Sequence, residues 1–534
     1  MSHPAPRQRG GGAALVAAGI LLSRIFGLVR NRLMGHFFGV GLAADALTAA
    51  FRVPNFLQNL FGEGVLSASF IPVYARLLAE GDECESGRVA GAIGSLLVLT
   101  STVLVLVGIV LTPYALIPLI APGFTGEQRE LTIRLVQIAF PGVGLLVLSA
   151  WALGILNSHR RFFLSYASPV AMNLVMIGVL LWRGPDLSTS LAGPAELATW
   201  LAWASVAGSA LQVAVQMPTV LRVERRLRVG LATGDPHVRT VLHNFWPVFL
   251  GRGVVQISSY ADQIIASFLG LGAVAMLGYV QVIAILPVSL FGMSVSAAEL
   301  PAMSGTLGDD AEVSRVLRQR LHDGLHRIAF YVVPSAVAFL ALGDIVGGAI
   351  YQTGKLGRTE TVWLWSGLAG SAVGLLAGTL GRLYASTWYA LRDTRTPLRY
   401  ATLRVAITVV LGVIAALRLP GWIGIDSKWG VAGLTASAGV AAWVEFFLLR
   451  RSLSRRIGAT GVDAAYIARL WAAAALAALF AFGVKLWLGT ERPVVLGVVA
   501  LPLYGAVYFG ATAMIGIEEA RAFAGRLRRL LGRA

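Results

Sequence analysis

The chain has 534 residues, of which 56% are hydrophobic and 13% charged, and a formal net charge of +17. A mean hydropathy of +0.73 leaves too little polar surface to cover a soluble globule of this length. The apolar runs are continuous over about 20 residues and do not alternate, which excludes a β-barrel and suits helices that cross roughly 30 Å of hydrocarbon.

Taken in order, these runs predict spans near residues 13–38, 42–61, 89–120, 131–156, 162–182, 196–220, 239–268, 273–303, 324–352, 363–390, 397–418, 429–450, 464–488 and 494–515. The first run follows Arg7 and Arg9 as a secretory leader would, but no clear small-residue cleavage site ends it, and it reads as the first span. Arginines then mark every second break: Arg76 and Arg88, Arg160 and Arg161, Arg222 to Arg239, Arg315 to Arg327, Arg392 to Arg399, Arg450 to Arg456, and the tail from Arg521. This alternation explains the positive charge as a topology signal, without nucleic acid, and predicts an even span count with both termini cytoplasmic. The single Cys84 can form no internal disulfide.

The chain repeats itself at an offset of roughly 230 residues. Phe37-Phe38-Gly39-Val40-Gly41 echoes Phe268-Leu269-Gly270-Leu271-Gly272, and Leu60-Phe61-Gly62 echoes Leu290-Phe291-Gly292. A third echo sets Leu156, Ser158 and Arg160 opposite Leu391, Asp393 and Arg395. An even number of spans between copies gives both halves the same orientation, with a pseudo-twofold axis along the membrane normal. The expected fold is therefore an all-α polytopic membrane protein of about fourteen transmembrane helices, two six-helix lobes plus a C-terminal helix pair. The expected divisions are a cytoplasmic tail at 1–12, an N-lobe at 13–228, a C-lobe at 229–456, the extra pair at 457–515 and a basic cytoplasmic tail at 516–534.

Charges inside the spans are the candidate functional groups. Arg24 and Arg30 lie in the first span; Asp45, Arg52 and Glu63 lie in or beside the second. Each charge at the bilayer centre costs about 2.5 to 3.5 kcal/mol on insertion scales, so these groups must face water or one another. Arg24 and Arg30, six residues apart, differ by about 240° in direction unless the helix bends at Gly27. One reading is a water-filled cationic cavity in which guanidinium groups take phosphate oxygens; the others are snorkelling of Arg30 and Arg32 to an interface and permanent pairing of Arg24 with Asp45 or Glu63. In the second half, Arg252 and Asp262 share the seventh span, and Glu299, Arg382, Arg404 and Glu445 lie in or beside later ones. Asp262 stands ten residues from Arg252, about 15 Å along a helix axis, too far for direct contact. That makes Asp262 a candidate for coupling to a cation or a proton. There is no Walker A sequence and no paired metal-ligand histidine spacing, so neither an enzyme nor an ATP-driven pump is indicated.

The run Ser23-Arg24-Ile25-Phe26-Gly27-Leu28-Val29-Arg30, with Ala44-Asp45-Ala46, Arg52-Val53-Pro54-Asn55 and Phe61-Gly62-Glu63-Gly64, resembles the N-terminal signature of the MurJ (MviN) family. Further matches are Ala121-Pro122-Gly123-Phe124, Gln256-Ile257-Ser258 and Asp393-Thr394-Arg395-Thr396-Pro397, and the likeness runs over about residues 12 to 515. The resemblance implies a fold of the multidrug/oligosaccharidyl-lipid/polysaccharide (MOP) exporter superfamily. It also implies movement of lipid II, the undecaprenyl-pyrophosphate glycopeptide, to the periplasmic leaflet of the bacterial inner membrane. It implies substrate contacts from Arg24, Arg30, Asp45 and Glu63, to which Arg52 and Arg252 are added as further cations, and partners among membrane lipids and peptidoglycan-synthesis proteins. Asn31, Gln58 and Val282 depart from the family pattern, where an Asp and two Arg are frequent. Asp262 matches the acid of a Na⁺ site in part of the family, but Thr408 and Gly412 stand where its partners would be. No organic cofactor is implied; Na⁺, a proton and the membrane potential all stay open as the coupling source. Two other functions stay open beside lipid II flipping: transport of another polyprenyl-linked glycan, and a transport-dead scaffold for cell-wall enzymes.

Overall fold

The computed structural model describes residues 11–61, 63–190, 192–304, 309–489, 492–522 and 525, and its regular structure is helical apart from an isolated bridge between Thr353 and Leu356. The chain packs as two compact units, Met1–Ser267 and Phe268–Ala534.

Unit 1 contains α1 (Gly11–Phe38), α2 (Leu42–Phe61), α3 (Glu63–Ser69), α4 (Ile71–Glu80), α5 (Glu83–Leu111), α6 (Ile117–Ile120), α7 (Gly126–Ser158), α8 (Phe162–Ala167), α9 (Pro169–Leu187), α10 (Gly193–Val223) and α11 (Pro236–Ala266), with a π-helical turn at Thr112–Leu116 joining α5 to α6. The first repeat echo corresponds to matching turns: Gly39 at φ 64° follows α1 and Gly270 at φ 98° follows α11, a left-handed backbone that glycine adopts without a Cβ clash. The third echo holds in conformation but at a different register. Arg160 and Arg392 sit at φ 58° and 59°, each closing a helix with a Schellman pair of bonds: Arg161 N to Leu156 O at 2.8 Å and Arg160 N to Asn157 O at 3.0 Å, against Asp393 N to Trp388 O at 3.0 Å and Arg392 N to Tyr389 O at 2.9 Å. Arg160 therefore corresponds to Arg392, three residues before the match that residue identities suggested.

The repeat assigns the seventh span to the second half, yet α11 packs in unit 1. Its linker explains why. A Cβ at Gly87 or Gly91 of α5 would meet the Arg226 or Arg228 carbonyl at 2.4 or 2.0 Å, so two glycines let the linker backbone lie directly on α5. Arg88 of α5 bridges Glu85 at 2.7 Å and Asp235 at 2.5 Å, while Asp235 caps α11 by accepting from His237 N at 2.7 Å. Beside this clamp, the Tyr74 hydroxyl lies 2.7 Å from the buried Glu224 carboxylate and 2.9 Å from His159 Nε2. The carboxylate only accepts, so the tyrosine proton goes to Glu224 and His159 donates from Nε2–H.

Unit 2 contains α12 (Ala273–Pro287), α13 (Ser294–Ser304), α14 (Asp310–Ala341), α15 (Gly343–Tyr351), α16 (Arg358–Ala390), α17 (Arg395–Gly412), α18 (Leu419–Ile423), α19 (Gly430–Ile457), α20 (Ala464–Leu488) and α21 (Pro493–Met514), with π-helical turns at Val288–Met293 and Val413–Arg418. Helices α16 and α19 touch backbone to backbone at Gly374 and Gly439, where a Cβ on Gly374 would fall 2.2 Å from the Gly439 Cα. Close approach at small residues is how helices pack where lipid supplies no hydrophobic driving force. The pair α20–α21 is fixed to α14 by three tyrosines: Tyr466 donates to His326 O at 3.3 Å, Tyr508 to Phe330 O at 2.6 Å and Tyr504 to Pro334 O at 2.7 Å. Pro334 has no N–H, so the Phe330 carbonyl loses its helical donor. The Tyr508 hydroxyl supplies that missing bond.

Among the described residues, eleven stretches are long and apolar enough to cross a membrane. The predicted spans α1, α2 and α11 are not among them; α2 and α11 are long helices too rich in polar residues, and the described part of α1 carries Arg24, Arg30 and Arg32.

Two outcomes follow from these contacts. Tyr508→Phe should destabilise the protein by about 1 to 3 kcal/mol, the cost of a buried carbonyl left unsatisfied, and Tyr504→Phe by less, because the Pro334 carbonyl keeps its own helical donor; thermal unfolding of the detergent-solubilised chain measures both. Burial holds the His159 imidazole below its ordinary pKa of 6.5, partly opposed by Glu224. The unfolded chain therefore takes up the proton first, so the contribution of neutral His159 is complete above pH 6.5 and is lost as pH falls below it. His159→Gln should flatten the fall in unfolding temperature between about pH 7 and 5.

Candidate functional site

All seven predicted site residues belong to unit 1. The side chains of Glu63 and Arg252 lie outside the described residues; the other five are placed.

Helix α1 runs unbroken through Gly27, where an added Cβ would meet nothing within 4 Å, so its two arginines point to different surroundings. Arg24 is exposed, and Arg30 is half-buried, turned towards α9 with Nη1 3.8 Å from the Met176 sulfur. Arg30 Nη2 donates to Asn31 Oδ1 at 3.2 Å. The amide at position 31 thus keeps an acceptor beside Arg30 without neutralising it.

Asp45 is fully buried in the first turn of α2, where the helix N-terminus favours a negative charge. Its Oδ2 accepts from Gln128 Nε2, at the start of α7, at 3.1 Å. Position 45 lies 231 residues before Met276, the offset of the Gly39–Gly270 turns, and Met276 is equally buried in α12. The charge on α2 has no counterpart in the repeat: α12, AVAMLGYVQVIAILP, carries none.

The sequence reading weighed Asp262 only against Arg252. In the structure, Asp262 of α11 stands within electrostatic reach of Arg52 of α2. The same two helices are joined by Tyr260, whose hydroxyl donates to the Arg52 carbonyl at 2.9 Å and whose ring meets Phe56 edge-on at 5.1 Å. Sequence reasoning missed Gln128, Tyr260 and Met176. A polar residue or a tyrosine in an apolar run is a weak signal, and its partner here lies 83 to 208 positions away.

The candidate site is thus a set of charges on the polar helices of a multi-span bundle: one exposed arginine, one half-buried beside an amide, and an arginine within electrostatic reach of a carboxylate. No group of three or more metal-ligating side chains occurs among the described residues. Charges carried on spanning helices, which must meet water, a ligand or one another, are of the kind that multi-pass membrane transporters present.

The comparisons with known proteins agree. The family profile described as "Lipid II flippase MurJ" matches residues 34–504, and the chain belongs to that family of bacterial multi-pass membrane transporters. The lipid II flippase MurJ of Burkholderia cenocepacia is 28% identical over 529 residues, covering 95% of this chain and 98% of its own. A solved structure, "Lipid II flippase MurJ, inward closed conformation", superposes with a TM-score of 0.75 at 21% identity, over 94% of this chain and 98% of that one. An inward-facing multidrug resistance MATE transporter of the MOP superfamily follows, with a TM-score of 0.61 at 16% identity over 83% of this chain and 98% of its own, and shows the same fold.

A double-mutant cycle on Arg52→Ala and Asp262→Ala should return a coupling energy of about 0.5 to 3 kcal/mol, the range for charges in one network; a value near zero from thermal unfolding would separate the two side chains.

Proposed function

We propose that this chain moves lipid II from the cytoplasmic to the periplasmic leaflet by alternating access, with both termini in the cytoplasm and the two lobes of the repeat rocking about their glycine turns. The observation that supports this reading most is the exposed Arg24 on α1, for which no hydrogen bond or ion pair occurs among the described residues. An arginine at that depth is costly unless it meets water or an anion, and a diphosphate offers two sets of oxygens to a planar guanidinium. Arg24 and Arg30 would receive the diphosphate, with Arg52, Arg252 and Glu63 lining its path and Asp45 shaping the site from within α2. Asp262, facing Arg52, is the group whose protonation or cation binding would change the charge met by the substrate, and so the proposed coupling residue.

The test is to deplete the resident lipid II flippase of a bacterial host, express this chain or its Arg24→Ala variant at matched levels, and measure lipid II in the periplasmic leaflet. Restoration by the unaltered chain and at least a tenfold lower rate for the variant, the loss of one charge-assisted contact, are expected. Equal restoration by both would remove Arg24 from the mechanism, and restoration by neither, given correct insertion, would favour another lipid-linked glycan or a scaffold.

A further inference from the structure

Unit 2 holds an intramembrane charge cluster that the transport reading does not use. Arg404 of α17 donates from Nη1 to Glu445 Oε2 of α19 at 3.0 Å. Arg382 of α16 lies within electrostatic reach of both, is exposed, and has no hydrogen bond or ion pair among the described residues. Tyr389, seven residues further along α16 and 46% exposed, is also within reach of Glu445. The three helices sit among the best-packed contacts of unit 2, so the side chains are carried on rigid elements.

Depth decides what such a cluster can be. Arg382 is eight residues before the end of α16, and Arg404 nine after the start of α17, about 12 to 14 Å along the helix axes from the arginines that mark the predicted cytoplasmic edge. Arg404 takes the carboxylate of Glu445 and Arg382 lies only within electrostatic reach of it, leaving a net charge of about +1 where a bare charge is expensive. A structural ion pair would need only one arginine. The second is exposed and carries a planar fork of donors.

We propose that Arg382, with Arg404 held by Glu445, forms a binding site in unit 2 for the phosphate or diphosphate of a membrane lipid. The site deepens the transport reading by giving the diphosphate of the substrate a second station, separate from the arginines of unit 1. Glu445 both positions Arg404 and offsets its charge, so it sets the affinity of the site low enough for release. A phospholipid head group presents the same phosphate chemistry.

The test uses the full chain in nanodiscs of zwitterionic, net-neutral phosphatidylcholine, with Arg24→Ala, Arg30→Ala, Arg52→Ala and Arg252→Ala introduced to remove the unit 1 cations placed on the diphosphate's path, and titrates farnesyl diphosphate. Saturable binding is expected. Arg382→Ala should weaken it about tenfold or more, the loss of one charge-assisted contact, at unchanged thermal stability. Glu445→Gln should tighten it, because Arg404 is released to the ligand; a merely structural carboxylate would give weaker binding and lower stability instead. Displacement by anionic phosphatidylglycerol would identify a phospholipid head group as the occupant, and resistance to it the polyprenyl diphosphate. Unchanged binding in Arg382→Ala, or weakened binding in Glu445→Gln, overturns the assignment. Lipid II transport by the otherwise unaltered chain separates the two ideas: transport without an Arg382 effect on binding leaves the transport reading standing and this site fallen, and the converse leaves the site standing alone.

Discussion

The structure rests on one constraint: hydrocarbon offers no hydrogen bonds, so every polar group placed at membrane depth must find its partner in protein, in a ligand or in enclosed water. Among the described residues the backbone meets this by being helical wherever it spans. Where a helix is interrupted, a side chain repairs the loss, as the Tyr508 hydroxyl does for the carbonyl orphaned by Pro334. Where a side chain is charged, a polar neighbour meets it, as Gln128 meets Asp45 and Glu445 meets Arg404. Arg24 and Arg382 are among the groups left exposed against that background.

The spans were legible in the sequence because their signal is local. Twenty apolar residues in a row report their own environment, and so do arginines between them. The charged helices α1, α2 and α11 were legible for the opposite reason, since a charge in an apolar run has to be explained. What the sequence hid is pairing over distance. Nothing near Asp262 names Arg52, more than two hundred positions earlier, as the charge it faces. Nothing in Gly87 and Gly91 announces that a linker will lie on them and hold α11 in unit 1. The third repeat echo shows a subtler limit: matching residue types placed it three positions from the backbone equivalence, because what the halves share there is a left-handed residue closing a helix.

The halves of the repeat have also diverged in charge. Unit 1 carries Asp45 and Arg52 on α2, whereas α12 is uncharged and buries Met276 at the position equivalent to Asp45. In unit 2 a charge cluster lies on α16, α17 and α19.

The tyrosine bonds to α14 have a mechanical consequence. Their acceptors, His326, Phe330 and Pro334, are spaced one helical turn apart, so sliding the α20–α21 hairpin along α14 by even one residue would strand three hydroxyls at once. The hairpin is therefore geared to α14 with no slack. Leu479, Phe480 and Trp487, which the hairpin exposes, are therefore held in a fixed place relative to α14.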